Sequence, residues 1–178
     1  DRFAILESER VPVRLGHEVY LTGRLSESAM DAALAAFREF RRRLDARGVT
    51  LYRAVATSAV RESANGEDFR RRVRREADID LEVITGSEEP RVVHLAIRSR
   101  MSLGRDRWVL VDLGGGSVEV SLVDDSGILW SESHTMGSVR LLEELSGAED
   151  DPGRFHRVLE EYVSTLRLPP AARHRSPS

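Results

Sequence analysis

The chain has 178 residues, 40% of them hydrophobic, which is enough to bury a core as one domain or two small ones. Its formal net charge of −3 gives no sign of a nucleic-acid surface. No apolar run approaches the roughly 20 residues of a transmembrane helix, and the absence of cysteine excludes disulfides, a thiol nucleophile and cysteine-zinc sites. We therefore expect a soluble, cytoplasmic protein that binds neither nucleic acid nor membrane.

The first half of the chain alternates between extended and helical patterns. An extended segment with Pro12 is followed by a helix that Ser26 or Ser28 caps and Gly48 ends. A mostly apolar run of strand length, a short charged helix and a second strand come next. The predicted ranges are 2–16, 25–48, 49–60, 66–80 and 81–86.

The second half begins with a helix over 87–103, with Ser87 as its N-cap and Pro90 near its start. Three strands and two further helices follow, and "GRDR" at 104–107 is the best candidate for a domain boundary. Alternating strands and helices indicate an α/β protein with at least partly parallel strand pairing. The remaining predicted ranges are strands 108–113, 117–123 and 128–134, helices 137–146 and 152–166, and a disordered or linker-like tail 169–178.

All 27 basic residues are arginine. Without lysine, a G-x-x-x-x-G-K-[ST] phosphate loop, a kinase β3 lysine and a Schiff-base lysine are excluded. Five arginines lie together on the helix predicted over 66–80, but acids are interleaved with them. We favour a solvated helix face over a wall that attracts polyanions. These arginines are Arg70, Arg71, Arg72, Arg74 and Arg75.

The stretch "VLVDLGGGSVEVSLV" over 109–123 places three consecutive glycines between two apolar runs. Consecutive glycines indicate a backbone that bends sharply or is closely approached. Because alternation resumes at Ser117, a strand and not a helix leaves the glycines, so this is not a dinucleotide-binding fingerprint. The pattern predicts a hairpin whose amides cradle a phosphate, with an ordinary glycine hairpin as the alternative.

Two acids flank this hairpin, Asp112 at the end of the incoming strand and Glu119 in the outgoing one. Carboxylates beside a phosphate repel it unless a divalent cation lies between them. Mg²⁺ is the usual cation in such sites. The sequence therefore predicts a Mg²⁺-dependent phosphate site.

Four blocks occur in this order along the chain: "YRAVATSAVRESANG", "LEVITGSEEPR", "DLGGGSVEVSLV" and "MGSVRLLEEL". Together they resemble the exopolyphosphatase and guanosine pentaphosphate phosphohydrolase family, and they cover roughly residues 10–146. The resemblance implies an actin-like (ribonuclease H-like) two-lobe α/β fold, with mixed sheets flanked by helices. It implies a first lobe over 1–106 and the start of a second lobe over 107–168.

The chain departs from the family pattern in several places. No motif of the family's first phosphate loop, D-x-G-S-N-S, occurs, so we expect a fold that is incomplete at both ends. Val118 stands where the family usually has Thr, and Pro90 where it usually has Ala or Gly. The proline suits the first turn of a helix but is expected to shift the carboxylate of Glu89.

The resemblance assigns roles to individual residues. Glu89, the second acid of "EEPR", matches the base that activates water. The residues alone favour a pair, Glu88 and Glu89, that complements a helix dipole, and the family match reverses this preference. Arg140 matches a block that contacts phosphate or packs the lobe. Asn65 matches a family position but also suits a turn before a helix. The implied metal ligands are Asp112 and Glu119, and the implied phosphate ligands are Gly114, Gly115, Gly116, Ser117 and Arg61.

The function implied by the resemblance is Mg²⁺-dependent release of terminal phosphate from inorganic polyphosphate or guanosine pentaphosphate, in a protein for which the family implies a homodimer. The alternative is a non-catalytic module that binds phosphate or nucleotide, since half a phosphate cradle is expected to turn over little. A sugar-kinase-like ATPase fits less well, because "SEEPR" together with "ATSAVR" matches the hydrolase family.

Overall fold

The computed structural model describes residues 5–104, 106–145, 152–167 and 169. These residues form two compact units, one ending at Thr85 and the other beginning at Gly86. The predicted mixed α/β composition is confirmed. Among the described helices, none is long and apolar enough to cross a bilayer. The predicted tail over 169–178 lies outside the described residues except for Pro169, and the lobe boundary at 106/107 stays a prediction.

The N-terminal unit contains a two-stranded parallel sheet and four helices. β1 pairs with β2 in a register that places Ala54 opposite Leu81 and Ala56 opposite Val83, so the predicted parallel pairing is confirmed. Ser26 caps α2 as predicted, because its Oγ accepts a hydrogen bond from the Ala29 amide at 3.3 Å. The elements are α1 Val19–Thr22, α2 Glu27–Ala46, β1 Ala54–Ala56, α3 Ser58–Glu62, α4 Gly66–Ala77 and β2 Leu81–Val83.

The core of this unit lies between α2 and α4. Phe69, Val73 and Ala77 recur at four-residue spacing and bury one face of α4. The ring of Phe69 meets that of Phe37 from α2 at a centroid distance of 6.4 Å. The opposite face carries the arginine run, and each of its five members forms an ion pair within the same unit, which supports the solvated-face interpretation.

The C-terminal unit is built on an antiparallel sheet of order β3-β4-β5. The central strand β4 is buried on both faces. Helix α5 packs on the sheet, and Nε2 of its buried His94 lies 3.0 Å from the backbone oxygen of Asp124. The elements are α5 Glu89–Arg98, β3 Trp108–Leu113, β4 Val118–Asp124, β5 Gly127–His134, α6 Ser138–Glu144 and α7 Pro152–Thr165.

Three local predictions are wrong. The apolar run 49–60 is a strand only over Ala54–Ala56, and its end forms α3, because an apolar run does not by itself separate a strand from a buried helix. Ser87 does not cap α5, since the helix begins at Glu89 and its N-cap is Glu88. The extended segment predicted over 2–16 forms no strand within its described part, and the β1-β2 sheet of this unit has no third strand there.

Candidate phosphate site at the glycine loop

The three glycines form the turn between β3 and β4, as the sequence predicts. The loop closes with a hydrogen bond from the Gly114 amide to the Ser117 oxygen at 2.9 Å. Close approach explains the glycines here: a Cβ on Gly114 would lie 3.2 Å from that oxygen, and one on Gly115 would lie 3.2 Å from Cγ2 of Val139. Neither glycine has a positive φ. A side chain at Gly114 or Gly115 would therefore have to displace its neighbours by a few tenths of an ångström.

Within the described residues, the N–H groups of Gly115, Gly116 and Ser117 donate no hydrogen bond to the protein. Ser117 is nevertheless buried, with 4% of its surface exposed. Buried amides without an acceptor are rare in proteins because each carries a desolvation cost. Adjacent unbonded amides of this kind form the concave sites that bind anions.

Asp112 and Glu119 lie opposite each other in the β3–β4 register. Directly opposed residues of antiparallel strands point to the same face of the sheet. Ser133 continues this row on β5, where its Oγ donates to Oε1 of Glu119 at 2.8 Å. Glu119 is buried, so the hydroxyl helps to hold its carboxylate in place. Nothing in the sequence pattern had singled out Ser133.

This row fits a magnesium ion better than an all-protein metal cage. The described residues contain no group of three or more His, Asp or Glu side chains that could hold a metal. Mg²⁺, however, is usually bound by one or two carboxylates, with waters and phosphate oxygens completing its shell. Asp112 and Glu119 supply such a pair, each two positions from an end of the loop 114–117. The donor set is therefore compatible with the predicted Mg²⁺.

The candidate base, Glu89, lies in the same unit as the loop. It is the first residue of α5 and is buried, with 7% of its surface exposed. The adjacent Glu88 is more exposed. Acids at the start of a helix are stabilised by its dipole without being buried. The burial of Glu89 is therefore the feature that separates the two acids.

Arg140 lies beside the loop, where its Nε donates to the Gly116 oxygen at 3.0 Å. Arg61 and Asn65 belong instead to the N-terminal unit. The Nη1 atom of Arg61 donates to the Ile84 oxygen at 2.9 Å, and its contribution to a phosphate site stays a prediction.

Asn65 makes two hydrogen bonds to one backbone residue. Its Oδ1 accepts from the Leu25 amide, and its Nδ2 donates to the Leu25 oxygen, both at 2.9 Å. The side chain is buried, and α4 begins at the next residue, Gly66. These contacts match the interpretation of Asn65 as part of a turn before a helix.

We expect Asn65→Ala to lower the free energy of unfolding by about 1–3 kcal/mol, because the buried polar groups of Leu25 lose their partner. Urea denaturation measures this loss. Asn65→Asp keeps the acceptor but turns a carboxylate oxygen toward the Leu25 oxygen, so it is expected to destabilise at least as much as Asn65→Ala. Unchanged stability combined with weakened phosphate binding would instead assign Asn65 to the site.

Residues 1–166 match the Ppx/GppA phosphatase family. The chain belongs to this family. The family match confirms the resemblance drawn from the four sequence blocks. It places the glycine loop, Glu89 and both acids of the row within the matched region.

Similarity to individual proteins is consistent with membership of the Ppx/GppA phosphatase family. Exopolyphosphatase 1 of Mycobacterium tuberculosis is 32% identical over 149 residues, which are 84% of this chain and 43% of the relative. The chain thus spans less than half the length of this curated relative. A solved exopolyphosphatase from Cytophaga hutchinsonii superposes with a TM-score of 0.77 at 32% identity, over 85% of this chain and 50% of that one. The Aquifex aeolicus PPX-GPPA enzyme gives a TM-score of 0.70 at 32% identity, over 93% and 56%.

Proposed function

We propose that this chain carries part of the active site of a Mg²⁺-dependent phosphohydrolase that releases terminal phosphate from inorganic polyphosphate or guanosine pentaphosphate. The observation that carries the proposal is the run of unbonded loop amides next to the Asp112–Glu119 pair. The amides suit phosphate oxygens, and the carboxylates suit a divalent cation that accompanies phosphate. Similarity to exopolyphosphatases supports a phosphoanhydride substrate.

The loop amides and the three acids have separate roles in the proposed reaction. The amides of Gly115, Gly116 and Ser117 hold the oxygens of the phosphate. Glu89 accepts the proton of the attacking water, which phosphate hydrolysis requires. Asp112 and Glu119 hold Mg²⁺, which when bound neutralises charge on the phosphate oxygens.

The finer architecture is part of the same proposal. We infer an actin-like fold with lobes over 1–106 and 107–168, which is supported by the glycine hairpin at the start of the second lobe and by superposition on family structures. We also infer a cytoplasmic setting from the composition, and a homodimer is what the family implies.

The test is phosphate release from long-chain polyphosphate and from guanosine pentaphosphate, with Mg²⁺ and with excess chelator. Metal-dependent release from one substrate would support the hydrolase and identify that substrate. Binding of both without release, by a protein shown to be folded, would favour the alternative of a phosphate-binding module.

Asp112→Asn tests the metal assignment. We expect the Mg²⁺ concentration for half-maximal activity to rise at least about tenfold, because a neutral amide binds Mg²⁺ more weakly than a carboxylate. Asp125→Asn is the matched control, since Asp125 is exposed on the β4–β5 turn of the same unit. An equal change in both variants would contradict the assignment.

A further inference from the structure

The start of α6 holds the glycine loop by three consecutive carbonyl groups. The Gly114 oxygen accepts from the Ser138 amide at 3.0 Å. The Gly115 oxygen accepts from the amides of Val139 and Arg140 at 2.9 and 3.0 Å. The Gly116 oxygen accepts from Nε of Arg140 at 3.0 Å. The first amides of α6, which have no partners within their own helix, are thereby satisfied by the loop.

This anchoring determines where the loop amides point. Across a trans peptide, the C=O of one residue and the N–H of the next lie on opposite sides of the chain. The carbonyls of Gly114, Gly115 and Gly116 face α6, so the amides of Gly115, Gly116 and Ser117 face away from it. These are the same amides that have no protein acceptor within the described residues.

Gly137 permits this close contact. Its φ of −149° is extended backbone that any residue adopts, so its conformation does not require glycine. The lack of space requires glycine, because a Cβ at this position would lie 2.4 Å from the carbonyl carbon and oxygen of Gly115 and 2.5 Å from the Gly116 nitrogen. Any side chain at 137 would therefore push the loop away from α6.

We propose that Gly137 and Arg140 are positioning residues, which hold the loop carbonyls against α6 so that three amides stay directed toward a phosphate. Arg140 acts here on the loop backbone through Nε, and its role does not depend on a contact between its charge and phosphate. This inference deepens the proposed function and rests on it for the identity of the anion.

Arg140→Gln and Arg140→Met separate the two roles of this arginine. The Nε2 of glutamine stands as many bonds from Cα as the Nε of arginine, so glutamine keeps the donor and loses the charge, while methionine loses both. With tripolyphosphate and Mg²⁺ as the probe, we expect Arg140→Met to raise Kd about tenfold and Arg140→Gln to stay within about threefold of wild type. Equal weakening by both variants would overturn the positioning role.

Gly137→Ala tests the steric contact, with Gly16→Ala as its control, because a Cβ on Gly16 would meet only ordinary contacts of 3.5 Å or more. Hydrogen exchange of the Ser138, Val139 and Arg140 amides is measured on the full chain without ligand. We expect exchange to accelerate at least about tenfold in Gly137→Ala and not in Gly16→Ala. Unchanged exchange would overturn the inference.

The two arms separate failure of the inference from failure of the proposed function. If the wild type binds no tripolyphosphate but Gly137→Ala shows the faster amide exchange, the phosphate function is overturned and the anchoring of the loop is supported. Wild-type binding that Gly137→Ala leaves unchanged would overturn the inference and leave the phosphate function supported.

Discussion

Glu89→Gln is expected to reduce Mg²⁺-dependent phosphate release by about 10²–10⁴-fold, the range that general-base catalysis contributes. Glutamine keeps the size of the buried side chain but does not accept the proton of the attacking water. Because the phosphate ligands are elsewhere, we expect KM to change little and kcat to carry the loss. Steady-state kinetics on the substrate that the wild type hydrolyses measures both.

Glu88→Gln provides the comparison for this prediction. The two acids are adjacent in sequence, but Glu89 is buried and Glu88 is more exposed. We expect Glu88→Gln to keep activity within about threefold of wild type, as for a surface acid that only complements a helix dipole. A larger loss in Glu88→Gln than in Glu89→Gln would move the role of base to Glu88. Circular dichroism of both variants checks that they are folded.

Phe69→Ala is expected to lower the free energy of unfolding by about 3–5 kcal/mol, the range for removing a buried aromatic ring. Phe69 has 1% of its surface exposed and meets Phe37 across the α2–α4 contact. Small domains are stable by only about 5–15 kcal/mol, so the variant is expected to be close to unfolding. Phe155→Ala, at a position with 48% exposure, is the matched control and is expected to change little.

Two spectroscopic probes make the Phe69→Ala experiment sharper. Both tryptophans, Trp108 and Trp130, lie in the C-terminal unit, so their fluorescence during urea denaturation follows that unit alone. Far-ultraviolet circular dichroism follows the helices of both units. If Phe69→Ala lowers the urea midpoint measured by circular dichroism but not the one measured by fluorescence, the units unfold separately. If it lowers both midpoints, they unfold in one cooperative transition. A loss of less than about 1 kcal/mol would contradict the central place of Phe69 in the core.

Much of the candidate site was predictable because it rests on local patterns. An apolar run before the glycines and alternation after them predicted β3, β4 and the hairpin between them. The hairpin in turn brings Asp112 opposite Glu119, since strands joined by a short turn pair in a register that the turn limits. The four sequence blocks were enough for the family, and the family match over 1–166 confirmed it.

The failed predictions share a physical cause. The segment 49–60 is mostly apolar, and such a run suits a strand or a buried helix equally well until its neighbours are known. Its end became α3, where the amides of Val60 and Arg61 donate to the Thr57 oxygen. The described part of 2–16 has strand-like composition, but a strand also needs a partner with free backbone groups.

The sequence by itself determined the strand–glycine–strand hairpin, the family and the identity of the acids, because each depends on residues that are close along the chain. Only the tertiary structure decided how the loop is held. Residues 137–140 lie more than 20 positions after the glycines, and most of their contacts with the loop join backbone atoms, which no residue pattern specifies. The same holds for Ser133, whose hydrogen bond to Glu119 depends on the β4–β5 register. The local pattern thus predicted the glycine loop, and the contacts with α6 fix its orientation.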